Sequence, residues 1–403
     1  MAKQAFVFLG NRRVTGNNVA LLGSSISQYP LAKFLKSRGV GFDYLSNKPS
    51  NLFDNVGGAF VHCELSDTDN VIWYCKAAGY QRVLSMGSDV CCRLLSIMSD
   101  QNIIDDPFVQ PLSIYDGFFN KHTFKKKFTR DKNNNHFVIS GEQNWRDDVE
   151  NFLKKHGTCI VKPIDSYGSK GVFKLPDPIN FETQINSALN ESPSNTVILE
   201  QYLESDGFQI CGDAYVKDSK VEFMKLGFNR SRSNDFKPLI EAFPDFEIPH
   251  SGQIKQALNQ IIKEAGVKNT FLNTDIIVSN GNIHILEIAL RLGGNCISDA
   301  IYFSTGRNLL DIYLYGEFVK TNHQPLHIIN HMLHSTRQGF FKAEMLNRFK
   351  GCRELNLDLS EGDTLEPIIE TGKTYGNLIT SYSQYSEFMN ALKIGPKFGD
   401  LSQ

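Results

Sequence analysis

The first hundred residues alternate short apolar runs with amphipathic helical patterns. The apolar run at 5–10 predicts a strand, and the pattern at 29–39 predicts a helix that is closed by Gly39. Further strands are predicted at 41–46, 59–65 and 82–89. Strands that alternate with helices in this way form a parallel sheet with right-handed crossovers.

Binding loops in parallel sheets follow the carboxyl ends of the strands. We expect such loops from Gly10 onward, including residues 23–28, and at the turn Met86–Asp89. The side chains of Ser88 and Asp89 in this turn are candidate substrate contacts.

From about residue 105 the pattern becomes β-rich. A polar stretch at 130–136 predicts a mobile surface loop. Antiparallel hairpins with helices on one side are predicted from the apolar runs at 158–163, 196–203, 210–216 and 274–278. A strand pattern at 354–363 and a closing helix near 383–392 indicate a small third unit. The expected fold class is α/β and α+β, with a parallel α/β domain at 1–105, a second domain at 106–320 and a small domain at 321–403.

Composition and charge indicate an ordinary globular protein. The 403 residues are 41% hydrophobic and 21% charged, with a formal net charge of −2. There is no basic excess for nucleic acid or a membrane surface, no apolar run near the length of a membrane span, and no resemblance to a signal peptide at the start. Eight scattered cysteines without CxxC spacing argue against a zinc site or a disulfide framework. We expect a cytoplasmic protein whose cysteines are packing residues.

The segment 159–175 has the pattern of a phosphate-binding loop. Lys162 ends an apolar strand, and a loop follows with small residues at Ser166, Gly168, Ser169 and Gly171. Glycines let backbone amides approach an oxyanion, and a lysine beside them supplies a positive charge to phosphate oxygens. The segment does not match the P-loop pattern, and taken alone it fits a flexible hairpin with a surface lysine equally well.

The segment 198–216 offers candidate contacts for a nucleoside. Glu200 ends an apolar run, so its carboxylate could accept a hydrogen bond from an exocyclic amine. The backbone near Tyr202 and Leu203 could pair with a purine edge, and Gln209 could hold a ribose hydroxyl. Each of these residues, taken singly, is more typical of a solvated hairpin.

Asp275 and Glu287 flank a tight turn. A two-residue turn, Asn280-Gly281, would place Asp275 opposite Leu286 and leave the two acids on different faces, whereas a three-residue loop would place Asp275 opposite Glu287. Adjacent carboxylates repel unless a cation lies between them, and Mg²⁺ uses one or two carboxylates together with substrate phosphates. We therefore predict the three-residue loop.

Arg291 follows Glu287 by four residues in an apolar run that ends in two glycines. On a strand, both side chains would project from one face, and burying an acid and a base is costly without partners. A divalent metal for the acid and an anionic group for the base are the expected partners. The alternative is a hairpin in which Asp275 faces solvent and Glu287 pairs only with Arg291.

These three segments, in this order and spacing, resemble the ATP-grasp superfamily, which includes biotin carboxylase, D-alanine–D-alanine ligase, carnosine synthase and bacterial L-amino acid ligases. The resemblance covers nearly the whole chain. It implies a substrate-contributing first domain, two α+β subdomains that clasp ATP, and a small carboxy-terminal domain. The cofactors it implies are ATP and Mg²⁺, or Mn²⁺ in its place.

The resemblance also implies nucleotide contacts. Lys121 and Lys162 look like the two nucleotide-binding lysines, and Ser166–Gly171 resembles the flap that closes on the phosphates. Adenine and ribose contacts are implied for Glu200, Gln201, Tyr202, Leu203 and Gln209.

The same resemblance implies a metal and phosphate wall. Asp275 and Glu287 look like magnesium ligands, and Arg291 resembles the residue that faces the γ-phosphate and the acyl-phosphate. Arg291 and Lys162 are therefore the candidate catalytic residues.

Two positions depart from the family pattern. An acid often stands where this chain has Gln209, although a glutamine can also hydrogen-bond a hydroxyl. Asn or Asp often stands at the position of Ala289, which leaves the place of one metal ligand to Asn295 or to water.

The implied activity is that of an ADP-forming carboxylate–amine ligase that makes an amide or peptide bond through an acyl-phosphate. Its partners would be small-molecule substrates, without nucleic acid or membrane, and a homodimer is compatible with the sequence. Two alternatives remain open: a carboxylase-like ligase that phosphorylates bicarbonate, and a nucleotide-binding module without catalysis. An NAD-dependent enzyme is disfavoured because residues 9–28 contain no GxGxxG fingerprint.

The substrate residues are weakly specified. Arg230 and Arg232 could clamp a carboxylate through bidentate hydrogen bonds, although a solvated basic loop fits the pattern nearly as well. The further candidates are Ser88, Asp89, His250 and Asn295.

Overall fold

The computed structural model of the protein describes residues 19–128, 136–176, 181–231 and 236–402. The predicted strand at 5–10, the residue Gly10, most of the polar stretch at 130–136 and Arg232 lie outside the described residues. Within the described ranges, no helix combines the length and the apolar character that crossing a bilayer requires.

The amino-terminal unit alternates strands and helices, as the sequence predicts. Its elements are β1 Val19–Leu22, α1 Tyr29–Ser37, β2 Asp43–Ser46, α2 Asn51–Asn55, β3 Ala59–His62, α3 Thr68–Ala78, β4 Arg82–Leu84 and α4 Asp89–Asp100. The four strands form a parallel sheet in the order β3-β2-β1-β4. Because the chain leaves β1 toward one edge and returns to β4 on its other side, the loops after β1 and β4 border the crevice where such sheets bind ligands.

A second, antiparallel sheet follows two helices. The elements are α5 Leu112–Phe119, α6 Lys121–Phe128, β5 His136–Ser140, α7 Arg146–His156, β6 Cys159–Pro163, β7 Phe173–Leu175, α8 Glu182–Asn190 and β8 Thr196–Gln201. The strand order is β5-β8-β6-β7. Alternation along the strands puts Val161 and Leu199 in an apolar core with α7 and α8, whereas Lys162 and Glu200 project from the other face.

The largest sheet has eight antiparallel strands in the order β13-β12-β9-β10-β11-β14-β18-β16, whose bounds follow. The elements are β9 Gln209–Lys217, β10 Lys220–Ser231, β11 Pro238–Phe243, α9 Ser251–Ala265, β12 Thr270–Ser279, β13 Asn282–Ala289, α10 Ile297–Thr305, α11 Leu309–Tyr315, β14 His327–Leu333, β15 Gly339–Phe340, a 3₁₀ helix Ala343–Phe349, β16 Glu354–Leu357, β17 Thr364–Leu365, α12 Ile368–Thr371, β18 Gly376–Tyr382, α13 Tyr385–Ile394 and a 3₁₀ helix Gly395–Gly399. Three strands of the predicted small carboxy-terminal domain, β14, β16 and β18, thus continue the sheet of the preceding domain.

The largest apolar core joins the amino-terminal unit to the rest of the chain. Leu31 and Phe53 pack in the same cluster as Ile301 of α10 and Leu310 of α11. All eight cysteines are free thiols and seven of them are buried, which is typical of packing residues. The amino-terminal unit is therefore held against the large sheet by apolar contacts, which fixes its loops near the candidate site.

Candidate nucleotide and metal site

Asp275 and Glu287 lie directly opposite each other on the β12–β13 hairpin. The strands are joined by a two-residue turn, Asn280-Gly281, whose φ angles of +49° and +72° are typical of tight hairpins, so the predicted three-residue loop is wrong. The register instead shifts between Asp275 and Ile276, and Leu286 is the extra residue of a β-bulge. The bulge brings the two acids onto one face.

The partly buried carboxylate of Asp275 accepts a hydrogen bond from Nε2 of Gln209 at 3.1 Å. Burial, and then the negative charge of Glu287, raise the pKa of Asp275 to about 6. A divalent cation would remove this penalty, and two carboxylates with phosphate and water oxygens are a donor set that Mg²⁺ takes. Because Ala289 has no donor, and no group of three His, Cys, Asp or Glu side chains in the described chain could hold a metal, the fit is to a two-carboxylate site.

Across from the hairpin, two lysines, Lys125 of α6 and Lys162 of β6, form ion pairs with the buried acid Glu200 of β8. Nζ of Lys162 lies 3.0 Å from Oε1 of Glu200, and Nζ of Lys125 lies 2.9 Å from Oε2. Burial opposes ionisation of Glu200, but the charges of Lys162 and Lys125 outweigh it and lower the pKa of Glu200 to about 2. Glu200 is therefore ion-paired with both lysines, and the three side chains together carry one net positive charge. The contact of Glu200 with an exocyclic amine stays a prediction.

Lys125 is a functional candidate that the sequence analysis missed. The signal was present, because Lys121 and Lys125 are four residues apart on α6 and therefore share one helix face. The family resemblance indicates only Lys121, whereas Lys125 begins a run of three lysines that is typical of a solvated helix end.

Lys121 joins the two walls of the site. Its Nζ donates to the carbonyl oxygen of Ser166 at 2.7 Å and lies 3.7 Å from Oε2 of Glu287. Its backbone N–H donates to the carbonyl oxygen of Ile164 at 2.9 Å. Three predicted site residues from distant parts of the sequence therefore converge on one point.

The predicted flap, Ser166–Gly171, is an irregular turn between β6 and β7. Gly171 has a φ of +69°, and a Cβ at this position would lie 2.9 Å from Cγ of Pro163, so both backbone conformation and packing require glycine. The hydroxyl of Ser169 donates to the carbonyl oxygen of Phe236 at 3.2 Å. The flap therefore rests on the segment that precedes β11.

The predicted adenine contacts lie at the end of β8, the strand that Gln201 closes. The backbone N–H of Tyr202 is already used, because it donates to the carbonyl oxygen of Thr158 at 2.9 Å. The Tyr202 ring lies 3.8 Å from Nζ of Lys174.

Leu203 lines a large cleft together with Leu286 and Lys125. Its volume of about 1050 Å³ is ample for a nucleoside. Gln209, the predicted ribose contact, donates to Asp275 through the hydrogen bond described above. We call this space the nucleotide cleft.

Arg291 pairs with Asp89 of the amino-terminal unit. Its Nε lies 2.8 Å from Oδ1 and its Nη2 lies 2.9 Å from Oδ2, a bidentate ion pair with both side chains largely buried. Because β13 ends at Ala289, Arg291 does not continue the alternation from Glu287 that the sequence predicts. The base is thus satisfied by an internal carboxylate, and the hydroxyl of Ser88 caps α4 beside it.

Asn295 lies in a turn, and its side chain hydrogen-bonds to the buried acid Glu241. Its φ is +52°, and its Nδ2 donates to Oε1 of Glu241 at 3.3 Å. Nδ2 of Asn330 donates to Oε2 of Glu241 at 3.2 Å and to the carbonyl oxygen of Asn295 at 2.5 Å. Burial raises the pKa of Glu241 to about 8. The amide nitrogen of Asn295 is therefore engaged with Glu241, and its role as a metal ligand stays a prediction.

Asp213 is a second residue that the sequence analysis missed. Its carboxylate accepts two hydrogen bonds from the backbone N–H of Gly293, at 2.9 and 3.1 Å, and one from Nδ2 of Asn273 at 2.9 Å. A Cβ at Gly293 would lie 2.8 Å from this carboxylate. Asp213 thereby fixes the backbone just after Arg291. The only indication of this role in the sequence is a single acidic residue within an apolar strand.

The remaining substrate candidates lie elsewhere. Nη1 of Arg230 donates to the carbonyl oxygens of Leu392 and Lys393, at 2.6 and 2.7 Å, and caps α13. Asn229 is the cross-strand neighbour of Gln209, whose side chain lies on the same sheet face as Asp275. Because side chains alternate along a strand, the next residue, Arg230, projects from the opposite face.

His250 is exposed at the start of α9, with a φ of +67°. Its Nδ1 lies 2.9 Å from Oε1 of Gln253 in the first turn of the same helix. Gln253 lines the nucleotide cleft, so His250 contacts a residue of that cleft.

Comparison with known sequences gives short matches to two glutathione synthetases from Neisseria meningitidis. No protein-family model matches the chain. Glutathione synthetase from Neisseria meningitidis serogroup B is 36% identical over 56 residues, which are 14% of this chain and 18% of that protein. The chain thus matches less than a fifth of the length of this relative.

Comparison with solved structures covers nearly the whole chain. The L-amino acid ligase from Bacillus licheniformis is 13% identical, with a TM-score of 0.72 over 94% of this chain and 96% of that one. N5-carboxyaminoimidazole synthetase from Staphylococcus aureus, complexed with ADP, is also 13% identical, with a TM-score of 0.70 over 95% and 99%. The chain therefore has the fold of the ATP-grasp ligases, and the resemblance seen in the sequence is confirmed for the fold.

Proposed function

We propose that this protein is an ATP-dependent, ADP-forming ligase that joins a carboxylate to an amine through an acyl-phosphate. The observation that carries the proposal is the position of Lys121, which contacts Ser166 at the start of the flap and lies 3.7 Å from Glu287 on the hairpin. Phosphate groups and a cation bound between these residues would satisfy the charges on both walls. The fold shared with an L-amino acid ligase is further support.

In this proposal the nucleotide base occupies the nucleotide cleft beside Leu203, and the phosphates face Lys121, Lys125 and Lys162. Asp275 and Glu287 would hold Mg²⁺, which when bound neutralises charge on the phosphate oxygens.

The proposed reaction has two steps. An oxygen of the substrate carboxylate attacks the γ-phosphorus and the bond to ADP breaks, which gives an acyl-phosphate. The amine nitrogen then attacks the carbonyl carbon, phosphate leaves with the bonding electron pair, and the surplus amine protons pass to solvent. No covalent enzyme nucleophile is needed, because phosphoryl transfer depends mainly on positioning and charge stabilisation. The flap, Ser166–Gly171, would exclude the water that hydrolyses an acyl-phosphate.

Arg291 has a different role in this proposal from the one expected from the sequence. Its guanidinium is bound by Asp89, so it acts as a positioning residue that ties the amino-terminal unit to the end of the β12–β13 hairpin. Lys162 remains the candidate catalytic cation.

The test is a screen of carboxylate–amine pairs with ATP and Mg²⁺, in which phosphate release is followed and the products are identified by mass spectrometry. We expect ADP, phosphate and an amide in equal amounts with at least one pair. ADP release with bicarbonate alone, and no amide, would favour the carboxylase-like alternative. ATP binding without phosphate release from any pair would favour a non-catalytic nucleotide-binding module.

A further inference from the structure

A second cleft, of about 490 Å³, opens between α4 and α5 on one side and the flap on the other. We call it the α4–flap cleft. Val90 and Leu94 of α4 form one wall, Phe119 of α5 forms another, and Tyr167 of the flap and Pro193 lie across from them. All of these residues are separate from the nucleotide cleft.

The α4–flap cleft adjoins the phosphate-facing residues. Asn120 and Asp165 line it, and they directly precede Lys121 and Ser166 in the sequence. Lys121 contacts Ser166 across this junction. A molecule in the cleft therefore lies next to the point where the proposed acyl-phosphate would form.

The charged residues of the cleft favour a cation. Asp116 is held by Arg93 through a bidentate pair, with Nε–Oδ1 at 2.7 Å and Nη2–Oδ2 at 2.9 Å. Asp89 is held in the same way by Arg291.

Asp165 is the remaining acid of the cleft, and its contacts are neutral. Its Oδ1 accepts from the hydroxyl of Ser192 at 2.6 Å and its Oδ2 from the backbone N–H of Ser194 at 3.0 Å. The acids of the cleft therefore outnumber the bases that pair with them, and a ligand carboxylate would be repelled.

We propose that the α4–flap cleft binds the amine substrate, and that it selects a protonated primary amine carried on an apolar group. This inference rests on the proposed function. Asp165 offers charge-assisted hydrogen bonds to the ammonium group, and the apolar walls take the side group. One ammonium proton passes to solvent before the nitrogen, which then has a free electron pair, attacks the acyl-phosphate. The flap then contacts both substrates, because Ser166 faces the phosphates and Tyr167 faces the amine.

Binding of simple probe molecules tests which chemical class of ligand the α4–flap cleft takes. Isothermal titration would be performed on the full chain saturated with Mg²⁺ and a non-hydrolysable ATP analogue. The probes are L-phenylalaninamide, which is cationic and apolar, glycinamide, which lacks the apolar group, and 3-phenylpropionate, which reverses the charge. We expect L-phenylalaninamide to bind at least about tenfold more tightly than either of the others.

A pair of matched variants tests the location. Val90→Trp fills the cleft from an exposed position on α4, and Val319→Trp makes the same change at a site of equal exposure outside it, 37% against 38%. Val90→Trp should weaken L-phenylalaninamide at least about tenfold, and Val319→Trp should leave its affinity unchanged.

The outcomes separate this inference from the proposed function. Equal affinity for L-phenylalaninamide in both variants, or no preference among the probes, would overturn the assignment of the cleft. Failure of the unmodified protein to bind the ATP analogue would instead overturn the proposed function itself.

Discussion

Nζ of Lys121 lies 3.7 Å from Oε2 of Glu287, so a lysine from α6 reaches the β12–β13 hairpin. The same lysine donates to the carbonyl oxygen of Ser166, in the loop between β6 and β7, and these two strands belong to a different sheet from the β12–β13 hairpin. The flap and both walls therefore share one cation, which in the proposed function would oppose charge on phosphate oxygens bound between the walls.

The role of Lys125 can be tested by charge removal. Lys125→Met takes away one of the two cations on Glu200, and the loss of one charge-assisted contact corresponds to a Kd for MgATP about tenfold to a hundredfold higher. Lys126→Met is the matched control, because Lys126 is exposed on the same helix. Equal Kd values for the two variants, measured by titration calorimetry, would remove Lys125 from the site.

The ion pair between Asp89 and Arg291 should contribute strongly to stability. Asp89→Ala leaves a largely buried guanidinium without its partner, so the free energy of unfolding should fall by about 3–5 kcal/mol. Glu150→Ala breaks an exposed pair with Lys154 and should cost about 0.5 kcal/mol or less. Urea denaturation measures both, and similar losses would contradict the account.

Glu241 should make stability depend on pH. Burial raises its pKa from 4.5 to about 8, so the folded protein keeps a proton that the unfolded chain releases. The resulting stabilisation is fully present below pH 4.5 and is lost as the pH rises through about 8, with a slope of up to about 1.4 kcal/mol per pH unit. Urea denaturation from pH 5 to 8 should show this fall, and Glu241→Gln should flatten it.

Glu366→Gln provides the control for that pH series. The Glu366 side chain is only partly buried and pairs with Lys373 near the surface, so its replacement should leave the slope unchanged. Identical slopes in the unmodified protein and in Glu241→Gln would show that Glu241 is not the titrating group.

The flap can be probed with two glycine substitutions. Gly168 and Gly171 both have positive φ, so alanine costs about 1 kcal/mol at either position. Only at Gly171 would the added Cβ also meet Pro163, whereas the space around Gly168 is open. Gly171→Ala should therefore raise the Kd for MgATP at least about fivefold more than Gly168→Ala does, because the flap must shift to accommodate the added methyl group beside Pro163. Equal Kd values would contradict a role for close flap packing.

The structure brings together charged side chains that the sequence analysis singled out, but several of their partners have no signal in the sequence. Lys162, Asp275 and Glu287 stand out because a charged side chain in an apolar strand needs a counter-charge. The β-bulge at Leu286 has no such signal, since it depends on how β12 pairs with both neighbours. The pairing of the acids was therefore predicted from the wrong loop length.

Long-range pairs lie beyond what local pattern can reveal. Asp89 and Arg291 are 202 positions apart, and nothing near either residue indicates the other. The pattern likewise predicts strands in the last eighty residues without indicating that β14, β16 and β18 extend the large sheet. Which edge a strand joins is decided by tertiary packing.

The most direct test of the central claim follows oxygen from the carboxylate. With a productive substrate pair from the screen, the carboxylate is labelled with ¹⁸O and the released phosphate is analysed by mass spectrometry. An acyl-phosphate mechanism predicts that each amide formed is accompanied by one phosphate that carries one oxygen from the carboxylate, and that Glu287→Gln abolishes both products while the fold is retained. Amide formation with unlabelled phosphate, or full turnover by Glu287→Gln, would contradict the account.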